Sequence, residues 1–150
     1  MINLKRTTSN DADFRQLVSL LDQYLALRDG EEHAFYNQFN NIQMIRHVVV
    51  CYCDDLPAGC GAFKELNKET IEIKRMFVKE RARRKGIGVE ILNELETWAA
   101  ELSYANCVLE TGKRQPEAIG FYEKAGYHRI KNYGQYEQVE NSICMKKILI

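Results

Sequence analysis

The sequence predicts an α/β fold in which helices pack on the faces of a mixed β-sheet. Its 150 residues, of which 45% are hydrophobic and 28% charged, are enough to bury a core without disulfide or metal crosslinks. The hydrophobic pattern changes from alternation to helical spacing and back, without a repeat, linker or low-complexity tract. A strand–helix–strand order in the second half requires a parallel crossover, so the sheet must be mixed. We therefore expect a single domain over residues 1–150.

The first half is predicted to contain a strand, two helices and an antiparallel meander. Residues 2–6 alternate between apolar and polar side chains, as in a strand. Asn10 or Asp11 can cap a helix whose apolar face recurs every three or four residues from Phe14 to Leu25. A short second helix is predicted over residues 32–39. Turn residues then separate three strands, predicted at residues 47–53, 58–66 and 70–79.

The second half alternates between helices and strands. The predicted elements are a helix over residues 88–102, a buried strand over 106–111, a helix that begins at Pro116, and strands over 127–133 and 142–149. Gly126 is suited to end the second of these helices. The predicted order is therefore β-α-α-β-β-β-α-β-α-β-β.

Charge and cysteine content argue against several classes of protein. Lys plus Arg equals Asp plus Glu, at 21 each, so the chain lacks the basic field of a dedicated nucleic-acid binder. No signal peptide or membrane segment is apparent, which predicts an intracellular, cytoplasmic protein. Five cysteines, an odd number within apolar runs, favour reduced and buried thiols. Cys51 and Cys53 form a C-x-C pair, but no second pair stands at zinc spacing, so we expect no metal.

A basic, glycine-containing loop over residues 78–90, VKERARRKGIGVE, is the most informative stretch. Its glycines let backbone N–H groups approach a ligand, and the start of a helix adds a partial positive charge. These properties suit a diphosphate, although a solvated basic turn or a nuclear-localisation-like run is the alternative. Neither a third Rossmann glycine, replaced by Ile91, nor a Walker Gly-Lys-Ser/Thr is present. The cationic residues of this basic loop are Arg81, Arg83, Arg84 and Lys85.

The pattern Arg83-x-x-Gly86-x-Gly88 resembles the acyl-CoA loop of the GNAT family of N-acetyltransferases. The preceding strand TIEIKRMFV and the later segment LETGKRQPEAIGFYEKAGY also resemble that family, so the resemblance covers residues 70–127. It implies a central mixed sheet of about seven strands flanked by about four helices. It also implies that the parallel strands at residues 70–79 and 106–111 splay apart to hold CoA.

The same resemblance implies that acetyl-CoA is the co-substrate and indicates which residues bind it. Gln115 stands where family members often carry Asn, which is a better helix N-cap. The positions implied for the pantetheine arm are Met76, Phe77 and Val78. Those implied for the pyrophosphate are Arg83, Arg84, Lys85, Gly86, Ile87, Gly88 and Val89, and Tyr122 also faces CoA.

Glu72 and Tyr122 are the catalytic residues that the resemblance implies. A protonated amine must lose a proton before it attacks, and Glu72 matches the position of the base in histone-acetylating members. Tyr122 falls where many members place a tyrosine whose hydroxyl faces the CoA sulfur. The alternatives are that Glu72 is an exposed strand residue paired with Lys74, and that Tyr122 only fills an apolar helix face. Glu110 is the second candidate for the base.

The acceptor and its pocket stay open at this level. Acidic residues of the first helices could hold a cationic amine, whereas basic residues could hold a carboxylate. The acidic residues Glu31 and Glu32 lie in one stretch with His33 and several aromatic residues, which are Tyr24, Phe35, Tyr36 and Phe39. The basic residues are Lys74, Arg75, Lys113 and Arg114. We expect a small-molecule or protein amine as partner, with no nucleic acid or membrane, and a homodimer remains open. A CoA-binding sensor without transfer activity is the alternative function.

Overall fold

The computed structural model describes residues 1–29 and 45–149, which form a seven-stranded sheet with helices on its faces. The strands are β1 (Ile2–Thr7), β2 (His47–Cys53), β3 (Leu56–Asn67), β4 (Thr70–Val78), β5 (Asn106–Gly112), β6 (His128–Ile130) and β7 (Ser142–Ile148). The α-helices of this part are α1 (Ala12–Asp29), α2 (Ile87–Glu101) and α3 (Pro116–Lys124). The helix predicted over residues 32–39 lies outside the described residues.

The sheet is mixed, as predicted, with the strand order β1-β2-β3-β4-β5-β7-β6. Strands β1 to β4 form an antiparallel meander, β4 pairs with β5 in parallel, and β7 pairs antiparallel with both β5 and β6. Helix α2 makes the crossover that the parallel pair requires. It packs Ile91, Leu92 and Leu95 into the core on one face, while α1 buries Phe14 and Leu17 on the other.

Asp11 caps α1, so the second of the two predicted caps is confirmed. Its Oδ1 accepts a hydrogen bond of 2.9 Å from the backbone N–H of Phe14, and its Oδ2 forms a 2.7 Å ion pair with Lys5. Burial alone would raise the pKa of Asp11. The hydrogen bonds from Lys5, Phe14 and Thr7 outweigh that effect and lower the pKa below its ordinary value.

The strand predicted over residues 127–133 is wrong at its ends, since β6 spans only His128–Ile130. Asn132 ends the strand, because its Nδ2 donates to the carbonyls of Tyr136, Val139 and Ser142 and holds the chain in a compact loop. Gly134 begins a 3-10 turn there with a φ of 52°. This loop carries Tyr133 and Tyr136 towards β4.

The cysteines are free thiols, and four of the five are buried. Burial raises the pKa of Cys51 and of Cys144 to about 11 and that of Cys107 to about 12. Thiols with such pKa values stay protonated and behave as small apolar groups. In residues 1–29 and 45–149, no cluster of three potential metal ligands occurs, and no helix is long and apolar enough to cross a membrane.

Candidate active site

The parallel strands β4 and β5 separate part-way along their length. Their register joins Thr70 with Asn106 and ends where Glu72 pairs with Val108. Both strands continue beyond this point, β4 to Val78 and β5 to Gly112, without further pairing to each other among the described residues. The splay predicted for this pair is therefore present, and it opens a wedge in the middle of the sheet.

A bulge in β4 adds to the opening. Cys60 pairs with Phe77 but Ala62 pairs with Lys74, so two residues of β4 stand opposite Gly61. Arg75 occupies the bulge with a φ of 58°, and its guanidinium forms a 2.7 Å ion pair with Asp22 of α1. A Cβ at Gly61 would lie 2.5 Å from the Met76 sulfur and within 3 Å of the Leu95 and Ile91 side chains, so a larger residue there would force these side chains to shift. A bulge bends its strand and increases the local twist, so the course of β4 changes at Arg75, beyond the last residue that pairs with β5.

Two cavities meet at the splay. The loop cleft, of about 590 Å³, lies between the end of β4, the basic loop and α3, and its walls include Phe77, Val78, Arg83, Gly88 and Phe121. The strand pocket, of about 130 Å³, lies between β4 and β5, and its walls include Glu72, Lys74, Glu110, Thr111 and Tyr136. Tyr122 and Gln115 line both cavities.

The N-terminus of α2 borders the loop cleft and has no side-chain cap. Its first intrahelical hydrogen bond runs from the N–H of Glu90 to the carbonyl of Gly86, at 3.0 Å. The N–H groups of Ile87, Gly88 and Val89 precede it and have no intrahelical partner. Gly86, with a φ of 78°, turns the chain into the helix, and Arg84 before it also has a positive φ, of 66°. The free N–H groups, the positive end of the helix dipole and the Arg84 cation thus lie together, as an anion-binding site requires.

Gly88 has a packing role that the sequence did not reveal. A Cβ at this position would lie 3.2 Å from the Phe121 ring, so the glycine allows α2 and α3 to approach each other. Arg83 lies across the cleft. Its Nε donates to the carbonyl of Val78 at 3.0 Å, and its guanidinium lies 5.5 Å from the centre of the Tyr24 ring.

Most of the residues predicted to bind CoA border the two cavities. Lys85 is the exception, since it is exposed and lines neither cavity. Gln115 is the N-cap of α3 but makes no side-chain capping bond, as expected for Gln at this position. The residues that line one or both cavities are Met76, Phe77, Val78, Arg83, Arg84, Gly86, Ile87, Gly88, Val89, Gln115 and Tyr122.

Tyr122 is a core residue that also lines both cavities. Its ring belongs to the main core and packs edge-on against Phe121 and Tyr127, with ring centres 5.1 and 5.7 Å apart. Its hydroxyl forms no hydrogen bond with any described residue. Burial raises the pKa of the phenol, so the group stays protonated at neutral pH and can donate a hydrogen bond.

Glu72 is buried, with 2% of its surface exposed, so the alternative of an exposed strand residue is wrong. The Tyr133 hydroxyl donates to its Oε2 at 2.6 Å, whereas the Lys74 ammonium lies 3.9 Å from its Oε1. Burial, and then the charge of Glu72, raise the pKa of Tyr133, which remains a donor. Sequence patterns did not predict Tyr133 as a site residue, because 61 positions separate it from Glu72.

Glu110 and the basic acceptor candidates occupy different environments. The Ser142 hydroxyl donates to Glu110 at 2.7 Å in the strand pocket. Lys74 lines the same pocket and is 7% exposed, and burial lowers its pKa. Lys113 and Arg114 are exposed and line neither cavity.

The candidates from the first helices are only partly described. The Tyr24 hydroxyl donates to Glu117 of α3 at 2.8 Å, which links α1 to α3 beside the loop cleft. The other members of this group lie outside the described residues; they are Glu31, Glu32, His33, Phe35, Tyr36 and Phe39.

The sequence comparisons agree with this geometry. The model of the acetyltransferase (GNAT) family matches residues 14–127. The chain belongs to this family of acetyltransferases. One relative, the uncharacterized N-acetyltransferase YsnE of Bacillus subtilis, is 30% identical over 151 aligned positions, which cover 93% of this chain and 97% of the relative.

Solved GNAT structures share the fold over the whole chain. A Klebsiella pneumoniae protein named for the acyl-CoA N-acyltransferases is 24% identical, with a TM-score of 0.84 and coverage of 100% of this chain and 99% of that one. A GNAT acetyltransferase of Elizabethkingia anophelis, solved with acetyl-CoA bound, is 18% identical, with a TM-score of 0.73 and coverage of 98% and 97%. The predicted family and its sheet architecture are thereby confirmed.

Proposed function

We propose that this GNAT acetyltransferase transfers the acetyl group of acetyl-CoA to a primary amine of a small molecule or a protein. The observation that carries the proposal is the meeting of the two cavities at Tyr122, because a two-substrate transfer needs two sites that share one reacting point. The loop cleft would hold the acyl donor and the strand pocket the acceptor. No metal takes part in this scheme, and we expect it to operate in the cytoplasm.

The loop cleft suits acetyl-CoA. The free N–H groups at the start of α2, with Arg84 beside them, would bind the pyrophosphate. The end of β4 has lost its β5 partner, so the backbone of Met76 and Phe77 can pair with the extended pantetheine arm as a strand would. Arg83 would exchange its bond to Val78 for one to a phosphate oxygen.

The transfer itself needs one base and one acid. Glu72 takes a proton from the acceptor ammonium, directly or through water, and leaves a neutral amine. The amine nitrogen attacks the thioester carbonyl carbon, so a C–N bond forms and the C–S bond breaks. Tyr122 donates its proton to the departing thiolate and regains one from the nitrogen of the intermediate. Each cycle yields an N-acetylated product, CoA and one proton released to solvent.

Ligand-induced stabilisation tests the assignment of the donor site. At about 100 times its dissociation constant, acetyl-CoA should add about 2.7 kcal/mol to the free energy of unfolding. Gly86→Val should remove this gain, because its side chain would stand at the pyrophosphate site. Gly134→Val is the matched control: both glycines have a positive φ, and neither has an atom within 4 Å of the position that a Cβ would occupy. Unchanged stability with CoA, acetyl-CoA and longer acyl-CoAs would contradict the proposal.

A CoA-binding sensor without transfer activity is the alternative function. It would show the same stabilisation by acetyl-CoA but would release no free thiol. Thiol release from acetyl-CoA, measured over a panel of amines, therefore distinguishes the enzyme from the sensor.

A further inference from the structure

We infer that the acceptor is a small amine that also carries a carboxylate, as an amino acid does, and that Lys74 binds this carboxylate in the strand pocket. The inference rests on the proposed transfer to an amine and specifies its substrate class. It makes Lys74 a residue that determines specificity.

The first argument is the lack of a close partner for Lys74. Its side chain is 6% exposed and lines the strand pocket. The nearest acidic oxygen, Oε1 of Glu72, is 3.9 Å from Nζ, which exceeds hydrogen-bond distance. Within residues 1–29 and 45–149, Lys74 makes no hydrogen bond through its ammonium. An ammonium has three donors, and leaving them unpaired in a buried position is costly. An occupant of the pocket can satisfy them.

The other charged groups of the strand pocket differ from Lys74 in this respect. The guanidinium of Arg75 contacts Asp22 at 2.7 Å. Glu110 accepts from Ser142 at 2.7 Å, and Glu72 accepts from Tyr133 at 2.6 Å. Of the four charged residues lining this pocket, Lys74 is the one for which the described part of the chain provides no short contact.

The chemistry of the pocket favours an acceptor with both charges. An amine without an anionic group would bring a second positive charge beside Lys74 and leave its donors unpaired. A carboxylate on the acceptor gives Lys74 a charge-assisted hydrogen bond, while the acceptor amine can approach Glu72. The volume of about 130 Å³ also suits a small molecule, since pockets for drug-sized ligands measure about 300–1,000 Å³.

Matched pairs of acceptors test the inference. The probes are glycine, β-alanine and 4-aminobutyrate, each with its carboxamide. In the carboxamides of glycine and β-alanine the amine has a lower pKa and is neutral more often, so any intrinsic bias runs against the acids. We expect the wild type to favour the acid of at least one pair in kcat/KM by about tenfold or more, the factor that one charge-assisted hydrogen bond supplies.

Substitution then assigns the preference to Lys74. Lys74→Met should reduce the acid-to-amide ratio to about one, chiefly through a higher KM for the acid, and Lys74→Arg should restore part of it. Lys64→Met is the matched control, because Lys64 lies on the neighbouring strand, opposite Glu72 in the register, but does not line the pocket. It should leave the ratio unchanged. Thermal unfolding and stabilisation by CoA would verify that each variant is folded.

Three results would overturn the inference while leaving the proposed function intact. They are a wild-type preference for the carboxamides, an equal loss on both members of a pair in Lys74→Met, and thiol release with simple amines but with none of the acids. By contrast, a wild type that releases no thiol with any amine, whether or not it binds CoA, would refute the proposed transferase function itself.

Discussion

Replacing Tyr122 by Phe is the most direct test of the proposed chemistry. The change removes one oxygen and keeps the ring that packs against Phe121 and Tyr127. Because the hydroxyl has no hydrogen-bond partner among the described residues, its loss should alter the free energy of unfolding by less than about 1 kcal/mol. Affinity for CoA should also change little, since the pyrophosphate site that we propose at the start of α2 does not include Tyr122.

Turnover, in contrast, should fall by about 100- to 10,000-fold in Tyr122→Phe, the range expected when a general acid is lost. The pKa of Tyr122 is raised by burial, so the wild-type phenol stays protonated throughout an assay between pH 6 and about 9. Its removal should therefore lower the rate by a similar factor at every pH in this range.

Glu72→Gln provides the contrasting variant. Losing a base should slow the reaction most at low pH and less at high pH, where more of the acceptor amine is already neutral. Both variants should be measured with a confirmed acceptor, under conditions in which chemistry limits the rate. Wild-type turnover in Tyr122→Phe would refute its role as an acid, and a rescue of this variant at high pH would show that the two roles are misassigned.

Two further predictions concern the loop and the first helix. Arg83→Ala and Arg84→Ala should raise the KM for acetyl-CoA more than they lower kcat, and increasing salt should shrink the effect; an unchanged KM with a reduced kcat would show that the loop is misplaced. Asp11→Ala should lower the free energy of unfolding by about 1 kcal/mol in urea titrations at pH 7, as loss of an N-cap does. Because the pKa of Asp11 is lowered on folding, its contribution is complete above about pH 4 and disappears as the pH falls through the folded-state pKa, so wild type and variant should converge in acid.

The features that the sequence predicted are those with local signals. Helical spacing located α2, and the predicted range of residues 88–102 differs from Ile87–Glu101 by one residue at each end. Pro116 marked the first residue of α3. The glycines of the basic loop indicated a turn into a helix start, which Gly86 makes with its positive φ, because their conformational freedom acts within a few residues.

The features that the sequence did not predict depend on contacts between distant segments. The bulge at Arg75 follows from the register between β4 and β3, which no pattern within β4 encodes. The sequence left open that Glu72 is an exposed strand residue, whereas its carboxylate is buried against Tyr133, which the sequence had assigned to a strand. Gly88 was expected only to let the ligand approach the backbone. Its close approach to Phe121 could not be predicted, because it depends on where α3 packs.

A second buried glutamate, Glu96, illustrates how this fold pairs a buried carboxylate that has only a structural role. Glu96 of α2 has both oxygens engaged, one by the Tyr127 hydroxyl at 2.9 Å and the other by Lys147 at 2.8 Å, and this network ties α2 to β7. Glu72 and Lys74 are buried at least as deeply, yet 3.9 Å separates their charged atoms. Selection for stability alone would favour closing such a gap, because half-satisfied buried charges destabilise a protein. Glu72 and Lys74 both line the strand pocket, where we propose that the acceptor binds, so we interpret their incomplete pairing as a requirement of that binding.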